Sequence, residues 1–185
     1  MSSMRAAVPP VPLRVLFVCH GNICRSTMAQ FVMEELVRRA GRASEFVIDS
    51  AATSREEIGN PPHHGTVARL RRAGVPVGSH RARQVRREEY ADWDCIVCMD
   101  EENLRGLRRI FGAGPCGGPE DPEAKVAKLL SFVPDGAGLF PSPRDRRGAV
   151  RDVADPWFTG DFDATYRDVL AGCEGLLASV TRLQP

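Results

Sequence analysis

The segment LRVLFVCHGNICRS, residues 13–26, decides the fold of this chain, because an apolar run in it ends at a short polar loop. Apart from Arg14, residues 13–18 are apolar, which is typical of a strand that is buried on both faces of a parallel sheet. Cys19 ends this strand and Ser26 starts a helix, so the residues between them form a tight loop. The segment therefore predicts the first strand, loop and helix of an α/β protein.

Three further strand-like segments alternate with helical patterns along the chain. Residues 45–50, 94–99 and 128–133 (EFVIDS, DCIVCM and KLLSFV) are predicted as strands, and residues 28–41, 64–75, 101–110 and 162–180 as helices. Asp100 is expected to cap the helix that follows it. Strands and helices in this order indicate a three-layer α/β/α sandwich with a four-stranded parallel sheet. Ligands of such folds lie at the carboxyl ends of the strands, where the loop after Cys19 begins.

The overall composition is that of an ordinary globular protein. The 185 residues carry a formal net charge of +1, so global charge favours neither nucleic acid nor a membrane as a partner. No apolar run is long enough for a membrane helix, and prolines interrupt an N-terminal stretch that briefly mimics a signal peptide. We therefore expect a cytoplasmic protein with a disordered leader (1–12) and a single domain (13–185) that contains a loop insertion (134–152).

The six cysteines raise the question of disulfides or a metal site. Cys95 and Cys98 lie in a predicted buried strand, and the chain is long enough to fold without covalent staples, so free thiols in a reducing compartment are expected. A metal-binding module that combines these two cysteines with His63 and His64 is disfavoured, because residues three apart in a strand point to opposite faces. The sequence predicts no metal and no other cofactor.

The loop between Cys19 and Ser26 has the composition of an anion-binding nest. Gly21 and Asn22 both tolerate a positive φ, and a loop that alternates in this way turns successive backbone N–H groups inward. The N-terminus of the next helix adds positive potential at the same point. Such a nest favours a thiolate, and Arg25 can offer two N–H groups to an oxyanion. A thiolate beneath an oxyanion cradle predicts attack on phosphorus. The residues expected to bind the phosphate are His20, Gly21, Asn22, Ile23 and Cys24.

The same loop resembles the signature C-x-G-N-x-C-R-S of the low-molecular-weight protein tyrosine phosphatases, present here as CHGNICRS over residues 19–26. That family also carries a D-P-aromatic motif near its C-terminus, found here in ADPWFTGDF over residues 154–162. The resemblance covers nearly the whole chain outside the leader and the insertion. It implies a flavodoxin-like (phosphatase-I) fold and metal-independent hydrolysis of phosphotyrosine proteins or peptides and of aryl phosphates. Further similar segments are VIDSAA (47–52), SHRARQV (79–85), CMDEENLRGL (98–107) and AGCEGLL (171–177).

The resemblance implies a catalytic role for four residues. Cys19 is expected to be the nucleophile that forms a phosphocysteine, and Arg25 to bind the phosphoryl oxygens. Ser26 is expected to donate a hydrogen bond to the thiolate and to assist its departure. Asp155 is expected to protonate the leaving phenolate and then to act as the base for the attacking water.

The resemblance also implies roles for residues around these four. Trp157 and Phe158 are expected to form one wall of a slot for a phenol ring. The facing loop carries Glu56 or Glu57 where the family often has an aromatic residue, so this chain departs from the family at the opposite wall.

Two further roles concern the support and the protection of the loop. His80 is expected to support the loop through Asn22. Cys24 is expected to lie close enough to Cys19 to form a reversible disulfide, which would protect the nucleophile from irreversible oxidation.

Two other classes of protein compete with a phosphatase. An arsenate reductase of the same fold needs two further redox cysteines that flank a short helix. Cys98 stands where the first could lie, but Arg105 occupies the region of the second, and no cysteine follows before Cys116. A catalytically inactive phosphate-binding adaptor would not need all four catalytic groups. The sequence thus favours the phosphatase.

Overall fold

The computed structural model describes residues 11–112, 121–134 and 148–183. In chain order the elements are β1 (Leu13–Cys19), α1 (Arg25–Arg39), β2 (Phe46–Ala52), α2 (His64–Arg72), β3 (Cys95–Cys98), α3 (Glu101–Phe111), β4 (Val126–Lys128), α4 (Pro156–Thr159) and α5 (Phe162–Leu183). Short 3₁₀ helices cover Ala43–Glu45, Arg87–Asp92 and Leu129–Phe132.

The strands form one parallel sheet in the order β2–β1–β3–β4. The register pairs Cys19 with Ala52 on one side of β1 and Val18 with Cys98 on the other side. The carboxyl ends of the three strands therefore meet at one edge of the sheet, where the loop after β1 begins.

Helices cover both faces of this sheet. Val15 and Phe17 of β1 lie in a core cluster with buried residues of α1 and α5. Leu16 and Val18 lie in a second cluster on the opposite face, together with Phe111 of α3. Burial on both faces explains the uninterrupted apolar run of β1. The predicted three-layer sandwich with a four-stranded parallel sheet is confirmed.

The cysteines of β3 lie on opposite faces of the sheet, as their spacing predicts. Cys95 packs against the first core cluster, whereas Cys98 is buried in the second. Across residues 11–112, 121–134 and 148–183, no cluster of histidine, cysteine, aspartate and glutamate side chains is arranged to hold a metal ion. None of the described helices combines the length and apolar character needed to cross a membrane.

The prediction of a strand over residues 128–133 is wrong. β4 ends at Lys128, and the apolar residues that follow form a 3₁₀ helix. Leu129 and Leu130 are buried in the first core cluster, against the layer that contains α5. A short apolar run fits a buried helical turn as well as a buried strand, so the pattern alone misassigned it.

Helices α1 and α4 also differ from expectation. α1 begins at Arg25, one residue before the start predicted at Ser26 and three before the amphipathic pattern at residue 28. α4 was not predicted, although the segment DPWFTG carries helix signals. Asp155 is its N-cap, Pro156 opens its first turn, and Gly160 ends it in the left-handed region at φ 69°.

Most of the predicted leader and insertion, residues 1–10 and 135–147, lies outside the described residues. The last part of the predicted insertion is held to the body of the protein. The Lys128 ammonium donates to the backbone oxygen of Val150 at 2.6 Å and pairs with Asp152 at 2.6 Å. The division into a leader and a single domain stays a prediction.

Helix α5 approaches the 3₁₀ helix Leu129–Phe132 closely enough to require glycine. A Cβ atom at Gly175 would lie 2.3 Å from the backbone oxygen of Phe132. That oxygen belongs to the main chain, so it cannot move aside as a flexible side chain could.

We expect Gly175→Ala to lower the free energy of unfolding by about 2 kcal/mol, because overpacking of this kind costs about 1–3 kcal/mol or more. Helix propensity alone predicts the opposite sign, a gain of about 1 kcal/mol. Urea unfolding distinguishes the two outcomes. Glu174→Ala at an exposed neighbouring position is the control and should change stability by less than about 0.5 kcal/mol. A Gly175→Ala protein as stable as the wild type would contradict the close packing.

Candidate active site

A cavity of about 540 Å³ opens at the carboxyl edge of the sheet. Its lining combines the loop after β1 with segments that are distant in the sequence, so the fold brings most of the predicted site residues together. The predicted site residues in this lining are Cys19, His20, Gly21, Ile23, Cys24, Arg25, Asp155, Trp157 and Phe158. Asn22 and Ser26 are completely buried and do not line the cavity.

The loop holds the Cys19 thiol with two polar groups. The backbone N–H of Asn22 donates to Sγ at 3.2 Å, and the Ser26 hydroxyl lies 3.0 Å from the same sulfur. The positive φ that the nest requires falls on Asn22, at 58°, and not on Gly21. Asparagine is among the few residues other than glycine that adopt this conformation readily.

The side-chain amide of Asn22 has only one orientation that satisfies its neighbours. The backbone N–H of Arg83 donates to its Oδ1 at 3.1 Å. The Nδ2 group therefore faces two hydroxyl oxygens, those of Ser26 at 3.0 Å and Ser50 at 2.9 Å. Since the Ser26 oxygen accepts this bond, its own proton is free to point at the Cys19 sulfur. The arrangement suits a sulfur that carries negative charge.

Ser50 and Gln30 extend this network beyond the residues that the sequence singled out. The Ser50 hydroxyl donates to Oε1 of Gln30 at 2.6 Å. The Gln30 amide nitrogen donates in turn to Glu34 at 2.9 Å. A buried serine near the carboxyl end of β2, beside the strand that carries the nucleophile, was the signal that could have identified Ser50.

The His80 ring contacts the backbone of the loop rather than the side chain of Asn22. Its Nε2 lies 3.1 Å from the backbone oxygen of Asn22 and 3.4 Å from the hydroxyl of Thr27. The Thr27 hydroxyl donates to the same backbone oxygen at 2.8 Å. Burial lowers the pKa of His80, so the ring is neutral at neutral pH. A neutral ring with its proton on Nε2 can donate to that oxygen.

Arg25 is almost completely buried and is held by two carboxylates. Its Nη1 lies 2.5 Å from Oδ2 of Asp100, and its Nη2 lies 2.5 Å from Oδ2 of Asp155. Burial lowers the pKa of Arg25, but the negative charges of Cys19, Asp155 and Asp100 outweigh this effect and leave the pKa raised. The guanidinium therefore keeps its charge although almost none of its surface is exposed.

Each of these two aspartates also caps a helix with its second oxygen. Oδ1 of Asp100 accepts from the backbone N–H of Asn103 at 2.6 Å at the start of α3. Oδ1 of Asp155 accepts from the backbone N–H of Trp157 at 3.0 Å at the start of α4. The sequence identified the capping role of Asp100 but missed its contact with Arg25, because nothing in the local pattern places residue 100 beside residue 25.

The two walls of the cavity differ in character. Trp157 and Phe158 of α4 are 60% and 84% exposed, so their rings are available to a ligand. Glu56 and Glu57 also line the cavity. The Glu56 carboxylate lies 3.0 Å from Nε2 of His20. One wall is therefore aromatic, whereas the loop around Glu56 and Glu57 is acidic.

Cys24 lies buried in the same loop as a free thiol. Burial, with a smaller contribution from the charge of Cys19, raises the pKa of Cys24 to about 12. Cys24 is therefore protonated at neutral pH and is not suited to be the primary nucleophile.

Comparison with known proteins identifies the family to which this chain is similar. The family model for low molecular weight phosphotyrosine protein phosphatase matches residues 14–184. The low molecular weight protein-tyrosine-phosphatase YfkJ of Bacillus subtilis is 36% identical over 170 residues, which cover 92% of this chain and 97% of that protein. The human low molecular weight phosphotyrosine protein phosphatase is 37% identical over 166 residues, covering 88% of this chain and 92% of that protein.

Solved structures give the same result. The crystal structure of YfkJ from Bacillus subtilis superimposes with a TM-score of 0.81 at 35% identity, and the match covers 96% of this chain and 100% of that chain. The fold and the loop after β1 define an α/β protein of the phosphotyrosine phosphatase class. This chain belongs to the low molecular weight phosphotyrosine protein phosphatase family, and the resemblance read from the sequence is confirmed.

Proposed function

We propose that this protein hydrolyses phosphotyrosine in proteins or peptides, as well as aryl phosphates, through a phosphocysteine intermediate and without a metal. The observation that carries the proposal is the meeting of Cys19, Arg25 and Asp155 in one cavity. The exposed rings of Trp157 and Phe158 at the mouth of this cavity suit a phenol ring.

In the first step the Cys19 thiolate attacks phosphorus, and the bond between phosphorus and the phenolic oxygen breaks. Arg25 binds the phosphoryl oxygens, and the loop over residues 20–24 surrounds them. Asp155 transfers its proton to the departing phenolate. The buried and charged guanidinium of Arg25 supports this role, because a donor that is already oriented and dehydrated stabilises developing charge most strongly.

The contact between Arg25 and Asp155 places the acid and the substrate in competition for one group. Nη2 of Arg25 contacts Oδ2 of Asp155 at 2.5 Å, and a phosphate dianion needs the same N–H group. The arriving dianion therefore displaces the carboxylate from Nη2. Asp155 stays beside the phosphate through its place at the start of α4, where the leaving group needs a proton.

In the second step water attacks the phosphocysteine, and Asp155 accepts a proton from that water. The bond between phosphorus and Sγ of Cys19 breaks, and inorganic phosphate is the product. The Ser26 hydroxyl, 3.0 Å from the sulfur, stabilises the departing thiolate by donating its proton. The Asn22 amide supports this step. It donates a hydrogen bond to the Ser26 oxygen, so the Ser26 proton is left to point at the sulfur.

The contacts of Cys98 support hydrolysis over arsenate reduction. A reductase must pass oxidation from Cys19 to further thiols that can reach each other. Cys98 is fully buried in the core cluster on one face of the sheet, whereas Cys19 belongs to the cluster on the other face. Arg105 lines the cavity where the reductase would need its outer cysteine.

The first experiment tests the nucleophile and the reaction type together. Cys19→Ser should abolish hydrolysis of an aryl phosphate, whereas the wild type should keep its full rate in the presence of a chelator. Cys98→Ala is the matched thiol control and should retain turnover. Appreciable turnover by Cys19→Ser, inhibition by the chelator, or arsenate reduction that depends on Cys98 would each contradict the proposal.

Asp155→Asn should slow hydrolysis of phosphotyrosine by about 100- to 10,000-fold, because general acid catalysis contributes about that factor. Hydrolysis of an activated nitrophenyl phosphate should slow much less, since its leaving group needs little help from a proton. Asparagine is also a good N-cap, so α4 should persist in this variant. Equal effects on both substrates would mean that the acid lies elsewhere, with Asp152, Asp161 and Asp163 as the next candidates.

We also propose a reversible disulfide between Cys19 and Cys24. Peroxide takes two electrons from the Cys19 thiolate and leaves a sulfenic acid. The sulfur of Cys24 then attacks that sulfur, the S–S bond forms, the S–O bond breaks and water leaves. Conversion of Cys19 to a neutral sulfenic acid removes one of the charges that raise the pKa of Cys24.

The buried free thiols suit the reducing cytoplasm that we propose as the location of this protein.

Mild peroxide should inactivate the wild type, and a dithiol should then restore most of its activity. Mass spectrometry should detect a peptide pair linked through Cys19 and Cys24. Cys24→Ser should lose activity irreversibly under the same treatment, with Cys19 converted to sulfinic or sulfonic acid. Full recovery of Cys24→Ser, or a free Cys24 in the inactivated wild type, would argue against the disulfide.

A further inference from the structure

A second cavity, of about 620 Å³, adjoins the catalytic cavity. The two cavities share Ile23, Glu57 and Trp157 in their linings. The half of the second cavity that lies beyond these shared residues is formed by the segment before α2 and by one side of α2. We call this half the α2 groove; it includes Pro61, Pro62, His64, Val67, Ala68 and Arg71.

We propose that the α2 groove binds an acidic residue that flanks the phosphotyrosine of the substrate, and that Arg71 pairs with its carboxylate. This inference rests on the phosphatase activity proposed above and names the class of substrate on which that site acts. Its support comes from the charge of Arg71, from the continuity of the two cavities and from the packing of the wall between them.

Arg71 differs from its neighbouring arginines in having no carboxylate partner among the described residues. Arg69 pairs with Asp163 at 2.6 Å and lies over the ring of Tyr166. Arg72 pairs with Asp163 at 2.6 Å as well. Arg71 is exposed and pairs with no carboxylate in the part of the chain that the structure describes. Of the three arginines in the last turn of α2, Arg71 is therefore the one available to a ligand.

The other carboxylates of the cleft would direct an acidic substrate residue toward this side. Glu101, Glu102 and Asp152 line the catalytic cavity and are absent from the lining of the second. Glu57 is the one carboxylate in the lining of both cavities, and a hydrogen bond from Asn60 at 2.6 Å holds its side chain in place. Like charges repel an acidic residue from the catalytic rim, whereas Arg71 attracts it to the groove.

The wall that joins the two cavities is built on His63. The His63 ring stacks on Phe162 at 5.2 Å and meets the edge of Trp157 at 6.0 Å. Its Nδ1 accepts from the backbone N–H of Gly65 at 3.1 Å, and its own backbone N–H donates to Ile23 at 2.8 Å. Burial, together with His64, lowers the pKa of His63, so this ring is neutral at neutral pH. A groove that is already formed saves the cost of ordering it on binding.

The flanking residue of a substrate can reach the groove when the phosphotyrosine occupies the catalytic cavity. Trp157 borders both cavities, and each residue of an extended peptide spans about 3.5 Å. The apolar side chains Pro62, Val67 and Ala68 can contact the methylene groups of a glutamate while its carboxylate reaches Arg71.

The test compares phosphotyrosine peptides that carry Glu, Ala or Lys at each of three positions on either side of the phosphotyrosine. The wild type should prefer Glu over Ala in kcat/KM by about fivefold at one or two neighbouring positions, the size expected of a partly exposed ion pair. Arg71→Ala should abolish this preference, and Arg71→Glu should reverse it in favour of Lys. Arg71→Lys keeps the charge and should keep the direction of the preference.

Arg109→Glu is the matched control, because it makes the same charge change at an exposed position of α3 that lines neither cavity. It should retain the wild-type preference. Turnover of all peptides without any preference for Glu, or a preference that survives in Arg71→Glu, would overturn the role of the α2 groove while leaving the phosphatase activity intact. If the wild type hydrolysed none of the phosphotyrosine peptides, the proposed function would be overturned, and this inference with it.

Discussion

The hydrogen bond from the backbone of Arg83 to Oδ1 of Asn22 fixes which end of the Asn22 amide faces the catalytic loop. The direction of the Ser26 proton toward the Cys19 sulfur depends on that orientation. A glycine at position 22 would adopt the same positive φ at lower cost, but it would have no amide to direct the proton of Ser26. Asparagine is the residue that satisfies both demands, the backbone conformation and the oriented donor.

The charge of Arg25 is balanced by groups that also define the ends of helices. Asp100 and Asp155 each use one oxygen for Arg25 and the other for the first turn of α3 or α4. The position of the guanidinium is therefore tied to secondary structure rather than to two free side chains. A carboxylate held in this way loses little rotamer freedom on pairing, so the site is oriented before any substrate arrives.

The sequence predicted the parts of the fold in which local pattern and tertiary environment agree. The apolar run of β1, the loop after Cys19 and the cap at Asp100 are of this kind. The strand over residues 128–133 was mispredicted because an apolar run reports burial and not backbone conformation. The pairing of Asp100 with Arg25 and the link from Ser50 to Asn22 could not be predicted, because both depend on the register between strands, which only the folded sheet sets.

The position of Trp157 between two cavities has a consequence for inhibitors. An aryl phosphonate alone would engage only the loop and the aromatic wall. A second fragment bearing a carboxylate, joined by a linker just long enough to pass the indole, would bind the α2 groove at an effective concentration in the millimolar range. The affinity that this fragment adds would then come from Arg71 rather than from the phosphate loop.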